Sequence, residues 1–219
     1  MPQPKANRRA HRHWGRRHHA SRAIDFSAGA DQYDAGRKGR LADRYYRALI
    51  RVAGPNLRPG DRVLDVGCGT GRLLAQLERS FGITGIGVDP SAAMVRVARA
   101  ACPDMEILAG SCGALPVEDA SVDGIVACLA YHHFDDRAGF VNEAKRSLGP
   151  GGKVYLAEPV IPAVIRAPVN AFLRLARFRE RLLSPQGLVE ELRGLGLEAG
   201  LALKKGAVCV VVASAPSST

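Results

Sequence analysis

Residues 63–74 read VLDVGCGTGRLL: an apolar run carrying one carboxylate, Asp65, then glycines at positions 67, 69 and 71, then a second apolar run. Nothing else in the chain constrains the fold as tightly. Alternating glycines between two apolar runs make a sharp turn and let another molecule approach the backbone closely. A dinucleotide fingerprint, G-x-G-x-x-G, needs glycine where this chain has Arg72, so the spacing is G-x-G-x-G instead. A tight turn alone would satisfy the same residues. A second stretch adds weight: GIGVDPS, residues 85–91, ends an apolar run on Asp89, 18 residues after Gly71. A carboxylate at that place can accept both hydroxyls of a ribose. It can equally cap the helix that follows.

The flanking sequence alternates strand-like and helix-like runs. Apolar residues at helical spacing (Leu41, Tyr45, Leu49, Val52) predict a first helix that ends before GPNLRPGD. Strands are expected at 62–67, 83–89, 105–110, 121–130, 153–159 and 206–215, and helices at 71–81, 91–101, 137–148 and 184–196. Ser91 beside Pro90 reads as a helix cap. GPGG at 149–152 reads as a helix-to-strand turn, and a further helix is expected from about Val169. Repeated βα units with near-continuous apolar strands imply an α/β fold: a mostly parallel sheet with helices on both faces. Crossovers in such sheets are right-handed, which puts the glycine loop at the carboxyl edge, where open α/β sheets bind ligands.

Four motifs in order, VLDVGCGTG, GIGVDPS, GALPVEDASVDGIVACLAYHHF and LGPGGKVYLAEP, resemble the class I S-adenosylmethionine-dependent methyltransferases over about residues 30–160. The similarity is greatest to the small-molecule branch that includes the ubiquinone and menaquinone biosynthesis enzymes. The resemblance implies a Rossmann-like seven-stranded sheet with its last strand antiparallel, and S-adenosyl-L-methionine as cofactor. It assigns Asp65 and the backbone of Gly67, Cys68 and Gly69 to the methionine end, and Asp89 with Pro90 to the ribose. Met94, Ser111 and Cys112 fall to the adenine, and residues from Leu129 to Tyr131 to the path towards the methyl group. Tyr33 would close over the cofactor or sit in a surface turn. Many relatives carry Asp after the glycine matching Gly110; Ser111 here is neutral and shorter. Methyl transfer from a sulfonium is an in-line displacement, so alignment and water exclusion carry most of it. A base is needed only for acceptors that must lose a proton. Tyr131, His132 and His133 are the candidates, with packing or pocket lining as the alternative role. No metal site is expected.

The resemblance places acceptor choice in residues 158–183. Val160, Ile161, Val164 and Ile165 would floor a hydrophobic pocket, with Arg174, Arg177, Arg179 and Arg181 facing water or an anionic surface; an ordinary covering helix is the alternative. The expected reaction is methylation of a small aromatic or lipophilic acceptor. A nucleic-acid acceptor is the rival, and N/D-P-P-Y, usual after the fourth strand of base-modifying enzymes, is replaced here by LAYHHF. A non-catalytic nucleoside-binding partner protein is the rival from another class.

Charge sharpens the domain boundaries. Of the formal +10, residues 1–22 contribute seven Lys or Arg and no acid, leaving +3 for the other 197 residues. Residues 1–28 are therefore expected to be a basic, disordered tail, residues 29–215 one domain, and 216–219 a frayed end. The tail reads as a solvated extension or as an arm for nucleic acid or anionic lipid. His11, His13, His18 and His19 have no Cys beside them to complete a metal site. No apolar run marks a signal or transmembrane segment, and five cysteines without a C-x-x-C pair fit reduced thiols, so a cytoplasmic protein with peripheral membrane contact at most is expected.

Overall fold

In the computed structural model, residues 37–178 and 180–216 are described. Tyr33, the basic tail 1–28, Arg179 and residues 217–219 lie outside the described residues. In chain order the elements are α1 (Arg37–Ala53), β1 (Arg62–Val66), α2 (Arg72–Phe81), β2 (Thr84–Asp89), α3 (Ala92–Ala101), β3 (Glu106–Ala109), β4 (Val122–Cys128), α4 (Arg137–Ser147), β5 (Leu148–Pro159), α5 (Ala163–Leu175), α6 (Pro185–Gly194), β6 (Glu198–Lys205) and β7 (Val208–Ser214). They form one seven-stranded sheet in the order β3-β2-β1-β4-β5-β7-β6. β7 runs antiparallel to both its neighbours, and the pairs from β3 to β5 are parallel.

Side chains on a strand alternate between faces, and here both faces are buried. Leu64 and Val66 of β1, Ile125 and Ala127 of β4, and Val154 and Leu156 of β5 pack with Phe140 and Val141 of α4 and Leu188 and Leu192 of α6. Val63, Val126, Tyr155 and Val210 pack on the other face with Tyr45 and Leu49 of α1, Leu73 and Leu77 of α2, and Val95 of α3. Double burial is why the strands read as unbroken apolar runs. Ser91 caps α3 through a bond from the Met94 amide, and Ser184 caps α6 through one from Gly187.

Three expectations need correction. GPGG is not a helix-to-strand turn but a bulge inside β5: Leu148 pairs with Val122, and the ladder resumes with Lys153 opposite Gly124. Gly151 takes φ +79° there, so glycine signalled a bend without telling turn from bulge. α5 starts at Ala163, with Pro162 at its N-cap and Pro168 inside it. The expected start at about Val169 was about six residues late. β6 was absent from the sequence-derived strands; of its alternating Ala199, Leu201 and Leu203 only Ala199 is buried, and this edge strand pairs with β7 alone.

The link from β3 to β4 is stapled to α4 by Arg146. Its guanidinium donates to the carbonyls of Leu115 and Val117 and to the carboxylates of Asp119 and Glu143, and Glu143 also accepts the Leu115 amide at 2.7 Å. Removing the cation strands two half-buried carbonyls and a carboxylate. Arg146→Met should therefore lower the unfolding free energy by about 2 kcal/mol, read as a lower urea midpoint at unchanged m-value. An unmoved midpoint would mean that the staple contributes nothing net.

Candidate functional site

The carboxyl ends of β1, β2 and β4 open onto a cavity of about 510 Å³, the size range of small-ligand pockets. The β1–α2 loop forms its floor. Gly67 and Cys68 both donate their amides to the carbonyl of Val88, at 2.8 and 3.1 Å, which pins the loop to the end of β2. Gly67 has φ +79°, and a Cβ there would stand 2.7 Å from the Ala130 Cβ, so neither conformation nor space admits a side chain. Gly69, at φ +54°, donates its amide to Asp89 Oδ2 at 2.9 Å, while the Ser91 amide donates to Oδ1 at 2.9 Å. Asp89 is thus held by two backbone donors, buried, on the cavity wall. Burial raises its pKa even against those two bonds.

Asp65 does not reach the wall. As an odd-numbered position of β1 it shares the face of Val63, and it is only 2% exposed. Its Oδ1 has no hydrogen-bond partner among the described residues. Burial first, and the nearby Asp89 charge second, push its carboxyl up to about 8.

The other expected cofactor-site residues line the cavity: Gly67, Cys68 and Gly69, Pro90 with Asp89, Met94 on α3, Ser111 and Cys112 after β3, and Leu129 after β4. The Cys112 thiol lies 3.6 Å from Asp135 Oδ1, and burial pushes it up to about 11. Leu129 sits at φ +56°, a left-handed conformation costing a non-glycine residue about 1–2 kcal/mol. Its amide bonds the Ala157 carbonyl at 2.9 Å, which holds that strained corner in the wall.

The three expected catalytic candidates part company. Residues 131–133 form a 3-10 turn, whose three residues per turn send successive side chains in three directions. Tyr131 goes inward: it is 1% exposed, and its hydroxyl donates to Glu191 at 3.0 Å. His132 turns to a separate cleft, with Nδ1 2.6 Å from Glu158 Oε2. His133 alone of the three reaches the cavity wall, with Nδ1 3.7 Å from Glu180 Oε1. Burial, then the neighbouring His132, pull the His133 imidazole down to about 4.

Sequence reasoning missed Tyr46, Thr70, Phe134, Asp135 and Glu180, which also line the cavity. Tyr46 follows a position assigned to the core stripe of α1, and one residue further round the helix faces the site. Glu180 had a signal: it is the only carboxylate between Glu158 and Glu190. Its neighbour in the chain is tied down beside the histidines, since Arg137 donates to the Arg181 carbonyl at 2.8 Å and the Arg181 amide to the His132 carbonyl at 3.2 Å. Val160, Ile161, Val164 and Ile165, expected to floor an acceptor pocket, are not on the wall; Val164 is 82% and Ile165 53% exposed. β5 delivers the chain past the cavity rim before α5 begins, so those residues fall outside it.

The family described as a methyltransferase domain matches residues 64–156. An uncharacterised methyltransferase of Bacillus licheniformis is 33% identical over 166 residues, covering 69% of this chain and 76% of that protein. The demethylmenaquinone methyltransferase of Chlorobaculum tepidum is 34% identical over 123 residues, covering 55% of this chain and 51% of its own. The chain therefore spans about half the length of that relative. Among solved structures, a complex between a Haloferax volcanii methyltransferase and the Trm112 methyltransferase activator aligns with TM-score 0.71 and 26% identity, over 90% of this chain and 100% of that one.

The raised pKa of Asp65 is a stability statement. The folded protein keeps the proton where the unfolded chain, near the ordinary carboxylate value of 3.8, has lost it, so the cost of folding grows as pH rises from about 4 towards about 8. Between pH 5 and 7.5, Asp65→Asn should gain on the native protein by about 1.4 kcal/mol per pH unit, about 3 kcal/mol in all, in urea unfolding without ligand. Parallel pH curves for the two proteins would assign Asp65 an ordinary pKa.

Proposed function

The chain belongs to the class I S-adenosylmethionine-dependent methyltransferases, and from that premise we propose that it moves a methyl group from this cofactor to a small aromatic or lipophilic acceptor. One observation carries the reading: a buried carboxylate, Asp89, anchored by two backbone amides on the wall of a ligand-sized cavity.

The residues present fit the cofactor. Asp89 spends one lone pair of each oxygen on the loop and retains others for a pair of ribose hydroxyls. Gly67 and Gly69 leave the backbone bare where a ligand would lie against it. The Asp65 Oδ1, without a hydrogen-bond partner among the described residues, suits a nearby cationic ammonium, because that charge would offset the desolvation that keeps the carboxyl protonated. When bound, S-adenosylmethionine supplies a methyl group on a sulfonium, already activated towards a nucleophile.

The chain's own task is holding and shielding. Asp89 with Pro90 would hold the ribose, and Met94, Ser111 and Cys112 the adenine. The Gly67–Gly69 backbone would lie along the methionine end, with Asp65 acting on its ammonium from behind the wall through charge rather than contact, and Tyr33 would close over it or sit in a surface turn. Tyr46, Leu129, Ala130 and Phe134 give the cavity apolar and aromatic walls, which suits an acceptor of like character and keeps water out. For an acceptor that must lose a proton, His133 is the base. Its depressed pKa leaves the ring neutral throughout the neutral range, ready to take the proton, and Glu180 would stabilise the imidazolium that results. Tyr131 and His132, bonded to Glu191 and Glu158, serve instead to position the turn.

Calorimetric titration with S-adenosylmethionine and S-adenosylhomocysteine tests the reading. Micromolar binding is expected, weakened about 100-fold in Asp89→Ala; no binding by the native chain would overturn it. With a phenolic acceptor found by screening, His133→Ala should leave the cofactor Kd within about threefold and lower kcat by about 10²-fold or more. An unchanged kcat would remove His133 from the chemistry.

A further inference from the structure

α5 wears its larger apolar face outward. Six large apolar side chains are strongly exposed among the described residues, and four belong to this helix: Val164 (82%), Ile165 (53%), Phe172 (64%) and Leu175 (85%). Successive helical residues turn by about 100°, so these four fall within an arc of about 100°, which the exposed Pro168 and Ala171 help to fill. The opposite arc, with Arg166, Val169, Asn170 and Leu173, is half-buried and partly polar. Asn170 exchanges two bonds with the backbone of Leu182, at 2.8 and 3.0 Å, and Arg166 donates to the Ile161 carbonyl at 3.0 Å. An ordinary surface helix is built the other way round. A contiguous exposed apolar face of this kind marks a surface that something covers.

Charge selects the occupant. No acid occurs between Ala163 and Phe178, where Arg166, Arg174 and Arg177 lie. Arg177 closes the helix at φ +57°, with its amide on the Arg174 carbonyl and the Phe178 amide on that of Leu173. Arg174 and Arg177 stand exposed outside the apolar arc rather than on it, the placement of basic residues on the polar side of a helix lying in a bilayer interface. Nucleic acid would gain from the arginines but offers little to Val164, Ile165 and Leu175. An anionic bilayer surface satisfies both: the aliphatic and phenyl groups enter the acyl boundary, and guanidinium groups meet headgroup phosphates. No helix among the described residues is long and apolar enough to cross a membrane, so the contact is a lateral one.

We propose that α5 is an interfacial helix docking this protein on an anionic lipid surface. It follows β5 at the cavity rim and leads back to Glu180 on the cavity wall, so docking sets that edge of the sheet against the bilayer. The inference goes beyond the catalytic reading and needs no part of it.

Flotation of the full chain with phosphatidylglycerol–phosphatidylcholine vesicles, and with phosphatidylcholine alone, tests it. The native chain should bind the anionic vesicles. Phe172→Ser with Leu175→Ser should lose about tenfold or more of that binding at unchanged Tm, since both side chains are already in water. Arg174→Gln with Arg177→Gln should weaken binding to the anionic vesicles only, by about tenfold. The proposal is overturned by absent vesicle binding, or by binding that the apolar pair leaves intact, which would transfer it to the basic residues 1–22. It is equally overturned by a native dimer that the apolar pair makes monomeric, or by RNA retention that the same pair abolishes.

Discussion

The junction between β1 and β2 is the constraint on which the site depends. One carbonyl, that of Val88, accepts the amides of Gly67 and Cys68, and one carboxylate, that of Asp89, accepts the amides of Gly69 and Ser91. Four donors that the end of a strand and the start of a helix would otherwise leave to water are satisfied within a few residues. The glycine loop, the Asp89 carboxylate and the start of α3 therefore form one rigid unit. Glycine is required at position 67 because Ala130, from the neighbouring β4 edge, closes against it.

Electrostatically the same unit is under tension. Asp65 and Asp89 are both buried, desolvation raises both carboxyls, and the Asp89 charge raises Asp65 further. Asp89 is stabilised as an anion by its amides; Asp65 has no such help at Oδ1. A ligand that brought a cation to Asp65 would relieve the strain, so its binding would be coupled to proton release from that one side chain.

A second network shapes the opposite rim. Glu158 at the end of β5 holds the Tyr131 amide and the His132 ring, Glu191 of α6 holds the Tyr131 hydroxyl and Arg137, and Arg137 holds the Arg181 carbonyl. These contacts fix the 131–133 turn and the Arg181 backbone against each other. His133 and Glu180 consequently meet on the cavity wall although 47 residues separate them in the chain. The polar partners of Tyr131 and His132 explain why two residues with catalytic side chains stand outside the site.

Local sequence determined whatever local physics governs. The alternating glycines before α2, the serine caps of α3 and α6, the doubly buried strands β1, β2, β4 and β5, and the carboxylate ending β2 were all legible, since each is a matter of neighbours a few residues away. Edge strand β6 was not, because its alternation of Ala199, Leu201 and Leu203 is short and broken up by Gly200 and Ala202, and the fold buries only Ala199 of it. The extent of α5 was not, because Pro168 reads as a boundary while the folded helix carries it inside. Which of Tyr131, His132 and His133 enters the cavity, and that Glu180 joins it there, only the tertiary structure decided. A 3-10 turn assigns each side chain a direction, and long-range partners on β5 and α6 determine what each direction meets; neither is encoded in the spacing of the residues themselves.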